Sequence, residues 1–217
     1  MESVLSELKK LSATTVSDAL DRLGIAGQCL GIKPLAPEFR LCGRAFTMRT
    51  VPVVGEPGSV GDYIDDVPEG EVVVIDNAGR PDMTVWGDIL TFVAHRRRVG
   101  GSVIDGHCRD ISLSLELQYP IFSRGWSMRT GKDRVQLDAM DVPVLIGGTE
   151  VSPGDLLLGD ADGVVAVPRS REVEVVALAK EIEEAEDRIR TAVESGVRLD
   201  EARKQFKYFE LQRREAK

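Results

Sequence analysis

The sequence predicts a layered α/β fold in which helices cover a mixed central sheet and a long helix lies near the carboxyl end. The run EVVVIDNA (71–78), with its continuous β-branched residues, is typical of a strand buried on both faces, and the run GSVIDG (101–106) predicts a second buried strand. An amphipathic helical pattern at about 87–98 separates the two runs, and this alternation favours an α/β layer. The sequence LLLGDADGVVAVP (156–168) predicts a hairpin or two short strands, which makes the sheet mixed.

The other elements follow, in chain order, from hydrophobic periodicity and from the positions of turn and capping residues. They are a helix at 2–11, a helix at 16–24 that ends at Gly24, a strand at 42–53, a turn-rich segment at 55–70, a short helix at 111–117, strands at 119–126 and 142–148, a long charged helix at 169–195 and a terminal helix or frayed tail from 199. The turn-rich segment could move or wrap a site. The long helix carries an apolar stripe of the kind that often packs on a neighbouring subunit, formed by Val173, Val176, Leu178 and Ile182. We expect one domain over residues 1–195, followed by a C-terminal helical tail over residues 196–217.

The composition argues against several functional classes. The chain has 217 residues, 42% of them hydrophobic and 29% charged, as in an ordinary globular protein. Its formal net charge of -8 argues against nonspecific binding to nucleic acid or to a membrane surface, because both need a basic face. Three cysteines lack CxxC spacing, and no apolar run is long enough for a signal peptide or a membrane span. We therefore expect a cytoplasmic protein.

The candidate chemistry is concentrated in the stretch WGDILTFVAHRRRVGGSVIDGHCRD (86–110). A carboxylate, Asp88, opens the predicted helix, and the pair Arg109-Asp110 follows the next strand, with 20 residues between Asp88 and Arg109. The start of a helix and the end of a strand can lie side by side in an α/β layer. The spacing therefore allows the three charged side chains to share one pocket.

Each of these charges also has a purely structural interpretation. Asp110 suits Mg²⁺ or Mn²⁺, yet it could equally be a helix N-cap or an ion-pair partner of Arg109. Arg109 has the planar fork that anchors a carboxylate, although an ion pair with Asp88 or Asp105 would explain it as well. Asp88 suits a helix dipole, and the backbone N–H groups of Gly87 to Leu90 suit a carboxylate or enolate oxygen.

Other candidate motifs carry less weight. A nucleophilic pair of Cys108 and His107 is disfavoured, because neighbours on an extended chain point to opposite sides. The segment GDADG (159–163) lacks the later ligands of an EF-hand and is typical of a hairpin turn. No glycine-rich dinucleotide loop, P-loop, HExxH or GxSxG motif is present, so dinucleotide, nucleoside-triphosphate, zincin and serine-hydrolase functions have no support.

The spacing from Asp88 to Arg109-Asp110, ending in IDGHCRD, resembles the signature of the RraA-like family, which includes the 4-hydroxy-4-methyl-2-oxoglutarate/4-carboxy-4-hydroxy-2-oxoadipate aldolases. Further similar stretches are TVSDAL, LCGRAFTM, PIFSRG and VSPGDLLLGDADGVVAVP, so the resemblance covers most of residues 12–195. Members that regulate ribonuclease E lack the Asp after the Arg. The presence of Asp110 therefore favours the lyase branch.

The resemblance implies an αββα-layered fold and a homotrimer, sometimes doubled to a hexamer, with sites between subunits. It implies that Asp110 binds a divalent cation, Mg²⁺ or Mn²⁺, and that Asp88 acts through water held by that cation. The backbone of Gly87, Asp88, Ile89 and Leu90, together with Arg109, would hold the pyruvate part of the substrate. A Glu of a neighbouring subunit also belongs to the family's site, and by position this is Glu184 or Glu186.

The activity implied by the resemblance is that of a class II pyruvate aldolase, which cleaves a small 4-hydroxy-2-oxo acid or decarboxylates oxaloacetate. The alternative is a non-catalytic RraA-type regulator that binds a protein and controls ribonuclease activity. A dehydratase or hydrolase on the same scaffold is a second enzymatic alternative. The sequence departs from the family at His107-Cys108, where small apolar residues are usual. We expect this departure to affect the choice of substrate more than the reaction type.

Overall fold

The structure is a computed structural model that describes residues 3–56 and 58–209. Its helices are α1 (Val4–Leu8), α2 (Ala13–Leu23), α3 (Asp88–Arg96), α4 (Ile111–Leu117), α5 (Glu172–Glu194) and α6 (Leu199–Gln205), with 3-10 turns at Asp62–Asp66 and Arg169–Arg171. Its strands are β1 (Lys33–Pro34), β2 (Leu41–Pro52), β3 (Val72–Asp76), β4 (Gly101–Cys108), β5 (Ile121–Trp126), β6 (Val135–Met140), β7 (Val144–Ile146), β8 (Thr149–Val151), β9 (Leu156–Asp160) and β10 (Gly163–Val167). Most elements therefore match the prediction to within a few residues.

The central sheet is mixed, as predicted. Its strand order is β1-β5-β4-β3-β2-β9-β10, with β6 also paired to β2. Strands β2, β3, β4 and β5 run parallel, whereas β1, β6, β9 and β10 join them through antiparallel pairs. The predicted hairpin at 156–168 is confirmed as the β9–β10 pair. The carboxyl ends of β3 and β4 therefore lie at one edge, which the chain leaves to form α3 and α4.

Three hydrophobic cores separate four layers, which follow the order helix, sheet, sheet, helix. The β9–β10 hairpin belongs to the second of the two sheet layers. Alternate residues of β3 belong to different cores, as expected for a strand buried on both faces: Val73 and Ile75 pack with α3 and α4, whereas Val72 and Val74 face the β9–β10 hairpin. The opposite face of that hairpin packs with α1, α2 and α5. The predicted αββα layering is confirmed.

The helix ends show how the local sequence sets these boundaries. Helix α2 begins after Ser12, whose hydroxyl accepts the Thr15 N–H at 3.0 Å, and it ends at Gly24, which has a φ of 67°. The end predicted at Gly24 is confirmed. In the stripe predicted on the long helix, Val176 and Ile182 are buried against the rest of the same chain, whereas Val173 is 67% exposed. Packing of the stripe on a neighbouring subunit stays a prediction.

The structure differs from the prediction in the stretch before β7, and it describes the carboxyl end only in part. Strand β6 was not predicted, although its residues VQLDA alternate between apolar and polar types. Helix α6 packs on α5 through Ala202, which is fully buried. Residues 210–217 of the predicted tail lie outside the described residues, and the division at residue 195 stays a prediction. Within residues 3–56 and 58–209, no helix has both the length and the apolar character needed to cross a membrane.

Candidate active site

The start of α3 and the end of β4 lie side by side. The Val85 N–H donates to the His107 carbonyl at 3.3 Å, and the Arg109 N–H donates to the Trp86 carbonyl at 2.9 Å. This pairing brings Gly87 against the Arg-Asp pair. A Cβ added at Gly87 would lie 3.0 Å from Asp110 Oδ2 and 3.4 Å from Arg109 Nε. The structure therefore brings the start of α3 and the Arg-Asp pair together, as their spacing predicted.

Asp110 does not act as a helix cap. It occupies the N-cap position of α4 with left-handed angles, φ 54° and ψ 40°, but its side chain makes no capping hydrogen bond. Its Oδ2 instead forms an ion pair with Arg109 Nε at 3.3 Å, which confirms the other structural interpretation of Asp110, and 39% of its side chain is exposed. Left-handed backbone at a non-glycine residue costs energy and is often found at functional sites. The conformation turns the carboxylate toward Arg109 and Gly87 rather than toward the amino end of α4.

Arg109 is not the partner of Asp105. Asp105 is buried and forms its ion pair with Arg124, whose Nε and Nη2 both donate to the carboxylate, Nη2 at 3.2 Å. It also accepts the Gly147 N–H at 2.7 Å. The ion pair with Asp105 that would have explained Arg109 structurally is therefore absent. Arg109 lines the cleft described below and contacts Asp110.

The first turn of α3 offers backbone donors beside this pair. The Thr91 N–H is the first to bond back along the helix, to the Gly87 carbonyl at 3.0 Å, so three earlier N–H groups precede it. The Ile89 N–H is taken by Asp88 Oδ1 at 2.8 Å. In the described part of the chain, the N–H groups of Asp88 and Leu90 have no acceptor. These two donors suit a carboxylate oxygen.

Trp86 supports the first turn of α3 from the side of the core. Its side chain is buried, its Nε1 donates to Thr91 Oγ1 at 2.9 Å, and its ring stacks on Tyr119 with centroids 6.0 Å apart. Thr91 Oγ1 in turn donates to the Gly87 carbonyl at 3.0 Å. The indole therefore joins the start of α3 to the core, and this holds the donors of the first turn in place.

A cleft of about 350 Å³ opens over these residues. That volume is at the small end of the range for sites that bind small molecules. The cleft is lined by residues 58–62, by residues 84–90, by Arg109 and by residues 130–132. Of the three charged residues expected to share one pocket, Asp88 and Arg109 line it, whereas Asp110 is not a lining residue and lies beside Arg109. The turn-rich segment at 55–70 thus forms one wall, which agrees with its predicted role of wrapping a site. The wall at 130–132, with Lys132, was not predicted, because the only local signal is a Gly-Lys turn dipeptide.

Gly131 holds this second wall in position. A Cβ at Gly131 would collide with the Thr84 carbonyl oxygen and would lie 2.6 Å from Val135 Cγ1. The Thr84 hydroxyl also donates to the Arg129 carbonyl at 2.7 Å. The loop after β5 therefore packs directly on the segment between β3 and α3 that leads into Gly87.

We expect Gly131→Ala to lower the free energy of unfolding by about 1–3 kcal/mol, because overpacking forces the backbone at Thr84 to move. Thermal or urea unfolding measures this change. Gly58→Ala is the matched control at another residue that lines the cleft, since its new Cβ would meet only the flexible Gln136 side chain, at 3.3 Å. Equal stability of the two variants would contradict the tight packing at Gly131.

His107 and Cys108 do not form a nucleophilic pair. Cys108 is fully buried, and burial raises the pKa of its thiol to about 11, so the thiolate is scarce near neutral pH. Its Sγ lies 3.8 Å from Ser123 Oγ and from the Gly125 carbonyl oxygen. His107 Nδ1 is buried without a hydrogen-bond partner within residues 3–56 and 58–209. This agrees with the alternation along β4 that disfavoured the pair.

A divalent cation fits Asp110 in donor chemistry. Its carboxylate is an exposed hard oxygen donor that no helix end engages, and Mg²⁺ often uses only one or two protein carboxylates. Among the described residues, no group of three or more His, Cys, Asp and Glu side chains could hold a metal. Glu184 and Glu186 lie on α5, in the opposite helical layer. Within one chain they therefore do not complete this site.

The fold and the cleft define a class of protein: an αββα domain with a small cleft, in which an arginine–aspartate pair faces a helix amino terminus. The chain belongs to the RraA-like family, because the family model described as Aldolase/RraA matches residues 13–166.

Three relatives illustrate the range of this family. Protein DlpA of Legionella pneumophila is 38% identical over 96% of this chain, which spans only 34% of DlpA. A Halalkalibacterium halodurans protein, provisionally named a 4-hydroxy-4-methyl-2-oxoglutarate aldolase, is 35% identical over 86% of each chain. The crystal structure of an uncharacterized protein from Pseudomonas syringae pv. tomato is 45% identical, with a TM-score of 0.87 over 94% of this chain and 98% of that one. These matches confirm the RraA-like family that the sequence resembles, together with its fold.

Proposed function

We propose that the protein is a divalent-metal-dependent lyase that cleaves a C–C bond of a small 4-hydroxy-2-oxo acid to release pyruvate, decarboxylates oxaloacetate, or does both. The observation that carries this proposal is the pair Arg109-Asp110, whose carboxylate caps no helix and which lies against Gly87 at the start of α3. The relative provisionally named an aldolase supports the same class of reaction.

The substrate carboxylate binds the N–H groups of Asp88 and Leu90 and the guanidinium of Arg109. Asp110 is the ligand of Mg²⁺ or Mn²⁺, and a cation bound there supplies Lewis-acid polarisation of the 2-oxo group. Asp88 keeps one carboxylate oxygen on the Ile89 N–H at 2.8 Å. Its other oxygen is available to orient a water molecule toward the substrate.

The reaction begins when water oriented by Asp88 removes the proton of the 4-hydroxyl. The C3–C4 bond then breaks, C4 becomes a carbonyl carbon, and the electron pair moves through C3 to the 2-oxo oxygen. Arg109 stabilises the negative charge that develops on this enolate oxygen. Protonation at C3 by water yields pyruvate. With oxaloacetate, the C4 carboxylate leaves as carbon dioxide and the same enolate forms, so one arrangement of residues serves both reactions.

We also propose that the protein forms a trimer or a hexamer in the cytoplasm, with its sites at the subunit interfaces. Ile89 and Phe92, on α3 beside the cleft, are exposed apolar side chains that a second copy would cover. Glu184 or Glu186 of that copy is the candidate for completing the metal site. Light scattering coupled to size exclusion tests the assembly, and a monomer at micromolar concentration would contradict it.

The test of the activity is pyruvate release from oxaloacetate and from 4-hydroxy-4-methyl-2-oxoglutarate, after subtraction of the enzyme-free rate. We expect turnover that requires Mg²⁺ or Mn²⁺, stops with a chelator, and falls by about 10²–10³ in Arg109→Ala, because that variant loses a transition-state contact. Arg98→Ala is the matched control, since Arg98 pairs with Glu69 at an exposed site. Turnover that ignores the chelator or survives Arg109→Ala would show that the lyase proposal is wrong.

The alternative function is that of a regulator that binds a protein and controls ribonuclease activity. It is supported by the family model, whose description joins aldolases with RraA. An RraA-type regulator has no need of the carboxylate at Asp110. Inhibition of a ribonuclease by the purified protein, without metal-dependent turnover, would favour the regulator over the lyase.

A further inference from the structure

A second cavity lies at the edge of the central sheet opposite the cleft. It has a volume of about 360 Å³, and its lining includes Gly70 and Gly100, which lie just before β3 and β4. The cleft over Gly87 lies beyond the carboxyl ends of the same two strands. Because β3 and β4 run parallel, their amino and carboxyl ends lie at opposite edges of the sheet. The two cavities are therefore separated by the length of these strands.

The charges that line this cavity have one sign. Lys9 and Arg40 are exposed lining residues, and none of the described residues that line the cavity is acidic. In the described part of the chain, neither cation has an ion-pair partner. Glu69, beside Gly70, pairs instead with Arg98 at 2.9 Å. In a protein with a formal net charge of -8, two uncompensated cations in one cavity attract an anion.

The thiol of Cys42, in the wall of the cavity, feels both cations. Burial raises the pKa of this thiol to about 11, and the positive charges of Lys9 and Arg40 act in the opposite direction. Because the effect of a charge falls off with distance, both cations lie near the Cys42 sulfur. The two charges therefore act on one position in the cavity.

The free donors of this cavity belong to its cationic side chains. Arg40 is held in place by its Nη2, which donates to the Leu11 carbonyl at 2.9 Å. Its Nε and Nη1, like the Lys9 ammonium, have no acceptor among the residues that the structure describes. The N–H groups of the two lining glycines are occupied, because Gly70 donates to the Arg98 carbonyl at 2.9 Å and Gly100 donates to the Glu71 carbonyl at 2.7 Å.

We propose that this cavity binds a small oxyanion, of the carboxylate or the sulfate class, between the Arg40 guanidinium and the Lys9 ammonium. The guanidinium fork suits two oxygens of one anion, and the ammonium adds a point charge. The site is independent of the proposed lyase function, because it shares no lining residue with the cleft. Cys42 lines the same cavity, so the reactivity of its thiol reports whether an anion is bound there.

Alkylation of Cys42 by N-ethylmaleimide, quantified by peptide mass spectrometry, tests the site. Cys29 and Cys108 are buried, whereas Cys42 is partly exposed. We expect sulfate or malonate to slow the reaction at Cys42 saturably, by at least about threefold relative to chloride at the same ionic strength, because a bound anion covers the thiol and favours its protonated form. Slowing by malonate alone assigns a dicarboxylate, and slowing by sulfate alone assigns a tetrahedral oxyanion.

Lys9→Met and Arg40→Met should each raise the anion concentration that gives half-maximal slowing by about threefold, as for an exposed ion pair. The Lys9 side chain makes no hydrogen bond within the described chain, so Lys9→Met should keep the melting temperature of the unmodified protein. Arg40→Met also loses the bond to Leu11. Lys204→Met, an equal loss of charge on exposed α6, is the matched control and should behave as the unmodified protein.

Three results would overturn the assignment: no slowing beyond that of chloride, slowing that is unchanged in Lys9→Met, or an equal loss in Lys204→Met. Absence of Cys42 alkylation in chloride alone would also overturn it, since the thiol would then not line an open cavity. Pyruvate release is not part of this test, so the anion site and the lyase proposal stand or fall separately.

Discussion

Asp110→Asn is expected to lower metal-dependent pyruvate release by at least about 10²–10³, as for loss of a contact that stabilises the transition state. The substitution keeps the size of the side chain but removes the negative charge that a hard cation needs. Asparagine also tolerates left-handed backbone, so the φ of 54° at this position does not by itself destabilise the variant. The measurement is kcat/KM together with a metal titration, and the apparent affinity for Mg²⁺ should fall in parallel.

Asp141→Asn is the matched control for this experiment. Asp141 is also a left-handed aspartate, with a φ of 56°, but it follows β6 and, among the described residues, it forms no ion pair with Arg109. It should retain the activity of the unmodified protein and its melting temperature. Full activity in Asp110→Asn would show that the carboxylate is not a metal ligand, and equal losses in both variants would point to a general effect of the substitution.

Trp86→Ala is expected to lower the free energy of unfolding by about 3–5 kcal/mol, because it leaves a large cavity in a fully packed core. The indole is buried, donates to Thr91 and stacks on Tyr119. For a chain of this length the melting temperature should fall by about 10 °C. Because Trp86 lies directly beneath Gly87, ligand binding at the cleft should weaken in the same variant.

Trp126→Ala provides the comparison, since Trp126 is 58% exposed at the end of β5. An exposed substitution of this kind usually changes stability by no more than about 0.5 kcal/mol. Trp86→Phe separates packing from hydrogen bonding, because it retains an aromatic ring but leaves Thr91 Oγ1 without its indole donor. Similar melting temperatures for Trp86→Ala and Trp126→Ala would contradict the role of Trp86 as the floor of the site.

Much of the fold could be predicted because its signals are local. A continuous β-branched run identified β3, the short apolar run in GSVIDG identified β4, and the Ser12 and Gly24 caps bounded α2. Strand β6 was missed because its stability comes from pairing with distant β2, across a register shift between Arg49 and Thr50. Periodicity grouped Val173 with Val176 and Ile182, but it did not show that Val176 and Ile182 are buried within the chain while Val173 is exposed.

The candidate site was likewise predicted only in part. The spacing of Asp88 and Arg109-Asp110 is visible in the sequence, and it resembles the signature of the RraA-like family, to which the chain belongs. The sequence does not show whether Asp110 caps a helix or whether Arg109 pairs with Asp105, because both depend on which groups meet in space. In the folded chain Asp105 forms its ion pair with Arg124, and Arg109 forms one with Asp110.

The sequence by itself determined the types of most elements, the mixed sheet, the membership of the family and the three charged residues at the strand and helix ends. These depend on periodicity, capping and spacing, all of which act over a few residues along the chain. Only the tertiary structure decided that Lys132 faces the cleft of Arg109. Both residues line one cleft because Gly131 packs on Thr84, a contact between segments that are distant along the chain. Such a contact is decided by the shape of the folded core and leaves no periodic signal in the sequence.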